Sequence, residues 1–190
     1  MIKIFSTIFI LSAALIAKEP LPFEYSEIEI FKSTIDDVLS VFGNAKKQEI
    51  PYGHHDQGYC YASENGVYAV FSSGPMGGQN IITRISIQSA PYGLECTPIA
   101  QELPYCLGGF CLGISKHDSE VLLDTQLEQT TDGSGSYVQS NWTKRKLTES
   151  EKEKMNLPGD IDQADVKHNI FFQFKDNQAT QIGIIKYECF

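Results

Sequence analysis

His54, His55 and Asp56 stand side by side in the chain, and imidazole and carboxylate donors of this kind suit zinc or copper. Neighbouring side chains on one loop rarely converge on a single ion, so His54 and His55 are weak metal candidates and no cofactor is expected. His117 and His168 have no partner three or four residues away that would set two ligands on one helical face. A cysteine nucleophile would need a thiol left reduced beside an imidazole; the odd number of cysteines permits one without pointing to it. Serines occur in glycine-rich turns at Ser72-Ser73-Gly74 and Gly133-Ser134-Gly135-Ser136, but no G-x-S-x-G elbow lies between a strand and a helix. No carboxylate pair can be set at glycosidase separation. No catalytic residue is assigned, and the chain reads as a non-enzymatic protein. The alternative is a small periplasmic hydrolase or metal-binding protein.

Aromatic side chains offer a different chemistry. Tyr52, Tyr59, Tyr61, Tyr68, Tyr137 and Trp142 are large, rigid groups of the kind that dominate binding hot spots. Alternation along a strand puts Tyr59 and Tyr61 on one face and Cys60 on the other, so the rings form either core or an exposed anchor patch. Tyr59, Tyr61 and Trp142 are the binding-surface candidates. Asn141-Trp142-Thr143 has the form of a glycosylation sequon.

The elements that must position these residues begin after an export signal, in which Lys3 precedes the apolar run Ile4 to Leu11 and small residues Ser12, Ala13, Ala14 and Ala17 follow. The apolar stretch ends at Lys18 and is short for a spanning helix, so residues 1–17 are expected to be removed, leaving no transmembrane span. Location is then periplasmic or secreted. In that oxidising setting the five cysteines, Cys60, Cys96, Cys106, Cys111 and Cys189, are disulfide candidates with one left over. Cys106 and Cys111 flank Leu107-Gly108-Gly109-Phe110, whose glycines can bring the two ends together. They can also each reach Cys60, Cys96 or Cys189. The net charge of −9 excludes a nucleic-acid backbone as partner, which demands clustered Lys and Arg.

One pattern occurs twice. Phe31, Ile35, Val38, Leu39 and Phe42 fall at helical spacing, Ser33 and Thr34 precede Asp36 and Asp37 as caps, and Gly43 ends the run. A loop over 49–57 leads to a strand from Tyr59, an Asn65-Gly66 hairpin signal, and an Ile81 to Ile87 strand. Ile114, Val121 and Leu122 play the helix part again, from a Ser115 cap to about Leu127, followed by Tyr137 to Thr143, Ile170 to Phe174 and Thr180 to Tyr187. The two runs differ by 83 positions at Val38 and Val121 and by 100 at Ile82 and Ile182, the excess matching a charged insertion over 144–167. Its alternating Glu and Lys residues read as a solvated face. The expectation is an α+β fold of two related modules, residues 18–90 and 114–190, each a short helix packed on an antiparallel sheet. A Pro/Gly/Cys-rich connection over 91–113 joins them.

The stretches Ser33 to Gly43 and Ile114 to Leu122, each a capped helix followed by an aromatic-bearing strand and a hairpin, resemble the SmpA/BamE-type and β-lactamase-inhibitor-protein-like exported modules. That resemblance implies tandem α+β units over about residues 25–190 and action by binding a protein or envelope component. It carries no catalytic residues to transfer. The lipid-attachment cysteine of the SmpA/BamE-type lipoproteins is absent, and Gln126 stands where the first helix has Gly43.

Overall fold

The computed structural model describes residues 24–51, 55–74, 80–131, 135–149, 152 and 160–189. The expected signal segment and His54 lie outside the described residues. Among those described, no helix is long and apolar enough to cross a membrane.

A two-residue-strand hairpin, β1 (Glu24–Tyr25) and β2 (Ile28–Glu29), comes first among the described residues. Helix α1 (Ile35–Phe42) follows, and its start is the expected reciprocal cap. Thr34 Oγ1 accepts from the Asp37 amide, and the Asp37 carboxylate accepts from the Thr34 amide at 2.7 Å. Of the two capping pairs the sequence offers, the structure uses Thr34 with Asp37. Ile35, Val38 and Phe42 face inward, and Gly43 ends the helix at φ 86, a conformation open to glycine at little cost.

A single sheet then takes in most of the chain. Strands β3 (Gln48–Glu49), β4 (Gln57–Ser63), β5 (Tyr68–Ser73), β6 (Arg84–Gln88) and β7 (Thr97–Ile99) come first. A small separate hairpin, β8 (Cys106–Leu107) with β9 (Phe110–Cys111), precedes helix α2 (Lys116–Leu123). Strands β10 (Glu128–Gln129), β11 (Ser136–Lys146), β12 (Gln163–Lys175) and β13 (Gln178–Cys189) complete it. The spatial order is β10-β11-β12-β13-β6-β5-β4-β3, with β7 joining β4 in parallel beside β3. The first and second halves of the chain meet where β13 pairs antiparallel with β6, centred on Ser86 opposite Gly183. They are continuous in one sheet.

Both helices lie over the same face. One hydrophobic cluster there includes Val38 and Phe42 of α1, Tyr61, Phe71, Ile85 and Ile87 of the first strands, and Ile170, Phe172, Ile182 and Ile184 of the last. Phe42 stacks on Phe71 at 5.0 Å, and Phe110 meets Phe172 edge-on at 5.3 Å. The β12–β13 turn is made by Asp176 and Asn177, both at positive φ, the conformation that suits a two-residue hairpin. At Asn65-Gly66 only Gly66 is left-handed. Asn65 instead uses its side chain, accepting from Ser63 Oγ at 2.6 Å and donating to the Leu103 carbonyl at 2.8 Å.

Helix α2 differs from its expected form. It is capped by Ser115, as the sequence suggests, but stops at Asp124 in the left-handed conformation, before Leu127. Asp tolerates that region through local hydrogen bonding. Val121 and Leu122, expected on the core face, are 63% and 51% exposed, and Ser119 is the buried residue. The cap fixes the phase: Thr34 and Ser115 are 81 positions apart, not 83, which places Ser119 where α1 has Val38.

Candidate binding surface

The face of the sheet away from the helices is covered unevenly. Over β4 and β5 it is closed by Ile50, Leu94 and Cys96, which pack on Cys60 and Val70, and a Cys60–Cys96 disulfide ties that cover down. The second disulfide joins Cys106 to Cys111, the pairing their glycine turn suggests, and Cys189 is the exposed free thiol.

Toward the middle the same face carries Ser72, Arg84, Ser86, Gln88 and Gln181, all buried. The Arg84 guanidinium lies 4.6 Å over the ring of Phe171, which in turn covers Gly183 on the next strand. A guanidinium over an aromatic face gains from the ring quadrupole, so the pair holds a buried charge flat against the sheet. Asp56 and Arg84 both bear on Tyr187, whose hydroxyl is held above its ordinary range chiefly by burial.

Beyond this point β11, β12 and β13 continue as a ribbon. On the side away from the helices, pairing register sets Trp142 opposite Lys167 and Lys167 opposite Tyr187, with Ser140, Asn169 and Ile185 in the adjacent row. Trp142 is 58% exposed, and the Lys167 ammonium sits 5.3 Å over its ring. On the opposite side of the ribbon lies a polar network. Arg145 donates to both oxygens of Glu188 at 2.7 to 3.1 Å, and Lys186 lies 3.2 Å from the same carboxylate. Burial pushes the Glu188 carboxyl up, but hydrogen bonds from Arg145 and Lys186 outweigh it and hold it below its ordinary value. His168 lies 3.3 Å from Thr143 Oγ1, and burial, aided by the Lys186 charge, lowers its pKa.

Two of the three aromatic candidates are core. Tyr59 and Tyr61 share a face, as alternation requires, but it is the helix-covered face, where they are 7% and 0% exposed. Tyr61 donates to the Gly43 carbonyl at 2.8 Å, and its pKa is pushed up to about 12, by burial first and by Tyr59 second. The loop after α1 thus fastens to β4 through the phenol, leaving neither ring for a partner. Trp142 alone of the three is presented. Tyr137 is half-buried, edge-on to Phe174 with Lys116 4.7 Å over its ring.

Among the described residues the ligand-like side chains do not gather. His55 is exposed on a left-handed backbone, and among the described residues no three His, Cys, Asp or Glu side chains are placed to hold a metal. Ser72 and Ser73 are buried within β5, as strand residues rather than turn nucleophiles. An open groove of about 360 Å³ between β2 and α1 is lined by Glu29, Lys32, Ser33 and Asp37. These four are engaged locally: Lys32 pairs with Glu29 at 2.6 Å, Ser33 accepts from the Glu29 amide, and Asp37 caps α1.

Sequence reasoning missed Lys167, Ile185 and Tyr187. A signal for Ile185 and Tyr187 is present in β13, where Ile182 and Ile184 alternate with Gly183, Ile185 and Tyr187. Strict alternation of that kind divides a strand into a core face and a second face, and the second face here is the ribbon surface around Trp142. No protein-family model matches this chain, nor does any curated protein or solved structure.

Proposed function

We infer that this chain is an exported protein-binding module, acting in the bacterial envelope as an inhibitor or accessory component, with its contact surface on the open face of the β11–β13 ribbon. The observation that carries the reading is the row Trp142, Lys167 and Tyr187. A half-exposed tryptophan stands on a long, hydrogen-bonded ribbon whose other end is anchored in the core, so the ring is presented on a rigid support. Rigid amphipathic aromatics of this kind supply contact area at low entropic cost. The two disulfides agree with an oxidising, extracytoplasmic compartment.

The same reading takes the two halves as copies of one unit, in the manner of the tandem SmpA/BamE-type and β-lactamase-inhibitor-like modules. Three register relations support it. Thr34 and Ser115, each a helix cap, bridge Ile81 and Gln178 at the approach to β6 and at the start of β13. Gln48 pairs with Gly58 as Glu128 pairs with Val138, both shifted by 80 positions. Ile81 and Gln178 differ by 97, as do Ser86 and Gly183, the pair at the centre of the seam. A two-fold relation between the halves requires that equality.

A photo-cross-linking amino acid placed at 142 or 187, with one at exposed Val121 on α2 as control, tests the surface in producing cells. The same adduct from 142 and 187 and none from 121 is expected. Adducts from 121 alone, or from none of the three, would sink the ribbon surface.

A further inference from the structure

The free edge of the sheet at β11 is the feature that says most about the partner. Strand β10 covers only the beginning of β11, pairing with Tyr137 and Val138, and among the described residues nothing pairs with Gln139 to Lys146 on that side. The direction of the backbone groups follows from two hydrogen bonds. The Thr130 amide donates to the Ser136 carbonyl across the β10 side, and the Leu147 amide donates to the Asp162 carbonyl across the β12 side. Alternate residues of a strand point their amide and carbonyl to the same side, so the groups of Ser140, Trp142, Lys144 and Lys146 point out of the edge. The Ser140 and Lys146 carbonyls take bonds from the neighbouring Gln139 and Arg145 side chains at 3.3 Å. Trp142 and Lys144 form the open centre.

Charge selects what can dock there. In a chain of net charge −9, this edge carries Lys144, Arg145 and Lys146 in succession, with Lys167 beside Trp142. Arg145 is engaged by Glu188, and Asp165 lies 3.8 Å from Lys144, but Lys144 remains 70% exposed. Lysines on an edge oppose pairing with a second copy, which would bring six cations together, and natural sheets use them for that purpose. The same lysines attract an acidic strand. Resting on the protein-binding reading above, we propose that the β11 edge from Ser140 to Lys146 takes up an extended acidic segment of the partner as an added strand. Its backbone pairs with Trp142 and Lys144, and its carboxylates lie against Lys144 and Lys146. Strand addition of this kind draws affinity from the main chain and specificity from alternate side chains.

Trp142 is the sole tryptophan of the chain, so its emission reports on this edge without a label. The probe is an eight-residue peptide alternating glutamate and valine, compared with its lysine–valine counterpart and with a version N-methylated at alternate amides. A saturable change in Trp142 emission is expected with the glutamate peptide only. Lys144→Pro removes an amide that points out of the edge and takes part in no bond to β12, so the sheet is kept; binding should weaken about tenfold, whereas Lys144→Gln should cost about threefold. The N-methylated peptide makes the same test on the unaltered protein should Lys144→Pro fold poorly. Equal binding of the glutamate, lysine and N-methylated peptides would overturn the proposal, as would a wild-type dimer in sedimentation that Lys144→Pro dissolves. Retention of the cross-link at 142 in Lys144→Pro, with no peptide bound by the wild type, would overturn the edge and leave the ribbon surface standing.

Discussion

Glu188 shows how a charge is kept inside the ribbon. It is 8% exposed, and a carboxylate so placed is tolerated only with its oxygens engaged, which Arg145 and Lys186 provide. Its folded pKa lies below the ordinary 4.5, so the stabilisation it brings is complete above that value and is lost as pH falls through the folded one. Glu188→Gln should cost about 1.5–3 kcal/mol at neutral pH, the range for hydrogen bonds to charged groups. The gap to wild type should close in acid below 4.5 when urea unfolding is followed against pH. A gap that persists unchanged in acid would mean that packing, not charge, is what the substitution removes. His168 works in the same direction at higher pH, since a histidine held neutral by burial loses stability as the solution is acidified below 6.5.

Among the elements, the staples differ in reach. Cys60–Cys96 spans 36 positions and holds the cover over β4 and β5, whereas Cys106–Cys111 spans 5 and closes one hairpin. The chain-entropy relation assigns about 4 kcal/mol to the first and about 2 kcal/mol to the second. Replacing each pair by alanine and measuring denaturant unfolding should reproduce that order. Equal losses would show that native packing, and not loop closure, sets the contribution. Helix α1 was readable from sequence because cap, apolar spacing and terminating glycine agree. Helix α2 was readable only at its cap: Val121 and Leu122 suggested a buried stripe, but an eight-residue helix anchored at Ser115 turns Ser119 inward instead. Tyr59 and Tyr61 were rightly grouped by alternation, yet alternation does not say which face the helices will cover.

At the scale of the whole molecule, the seam between β6 and β13 decides whether the protein unfolds as one. A Cβ on Gly183 would run into the ring of Phe171, and that ring is already held from above by Arg84. Gly183→Ala should therefore destabilise by about 1–3 kcal/mol, as overpacking does. The denaturant slope should stay unchanged, because one hydrophobic cluster spans both halves. Two separate transitions in that variant would instead show each half holding its own core. The α+β class was legible in the residues. The joining of both halves in one sheet was not, since edge pairing between distant strands leaves no local signal in either.

The two disulfides also set an order of events. Both lie between residues 60 and 111, one after the other without interleaving, and neither draws on anything from α2 onward. A chain that emerges N-terminus first can thus complete its oxidation while the whole second half is still unmade. Its pairing choices at that moment involve four thiols, and each takes the partner next in line. Cys189, on the final strand, arrives when the earlier sulfurs are already paired, so it is absent from that first choice and can reach their bridges only by thiol–disulfide exchange.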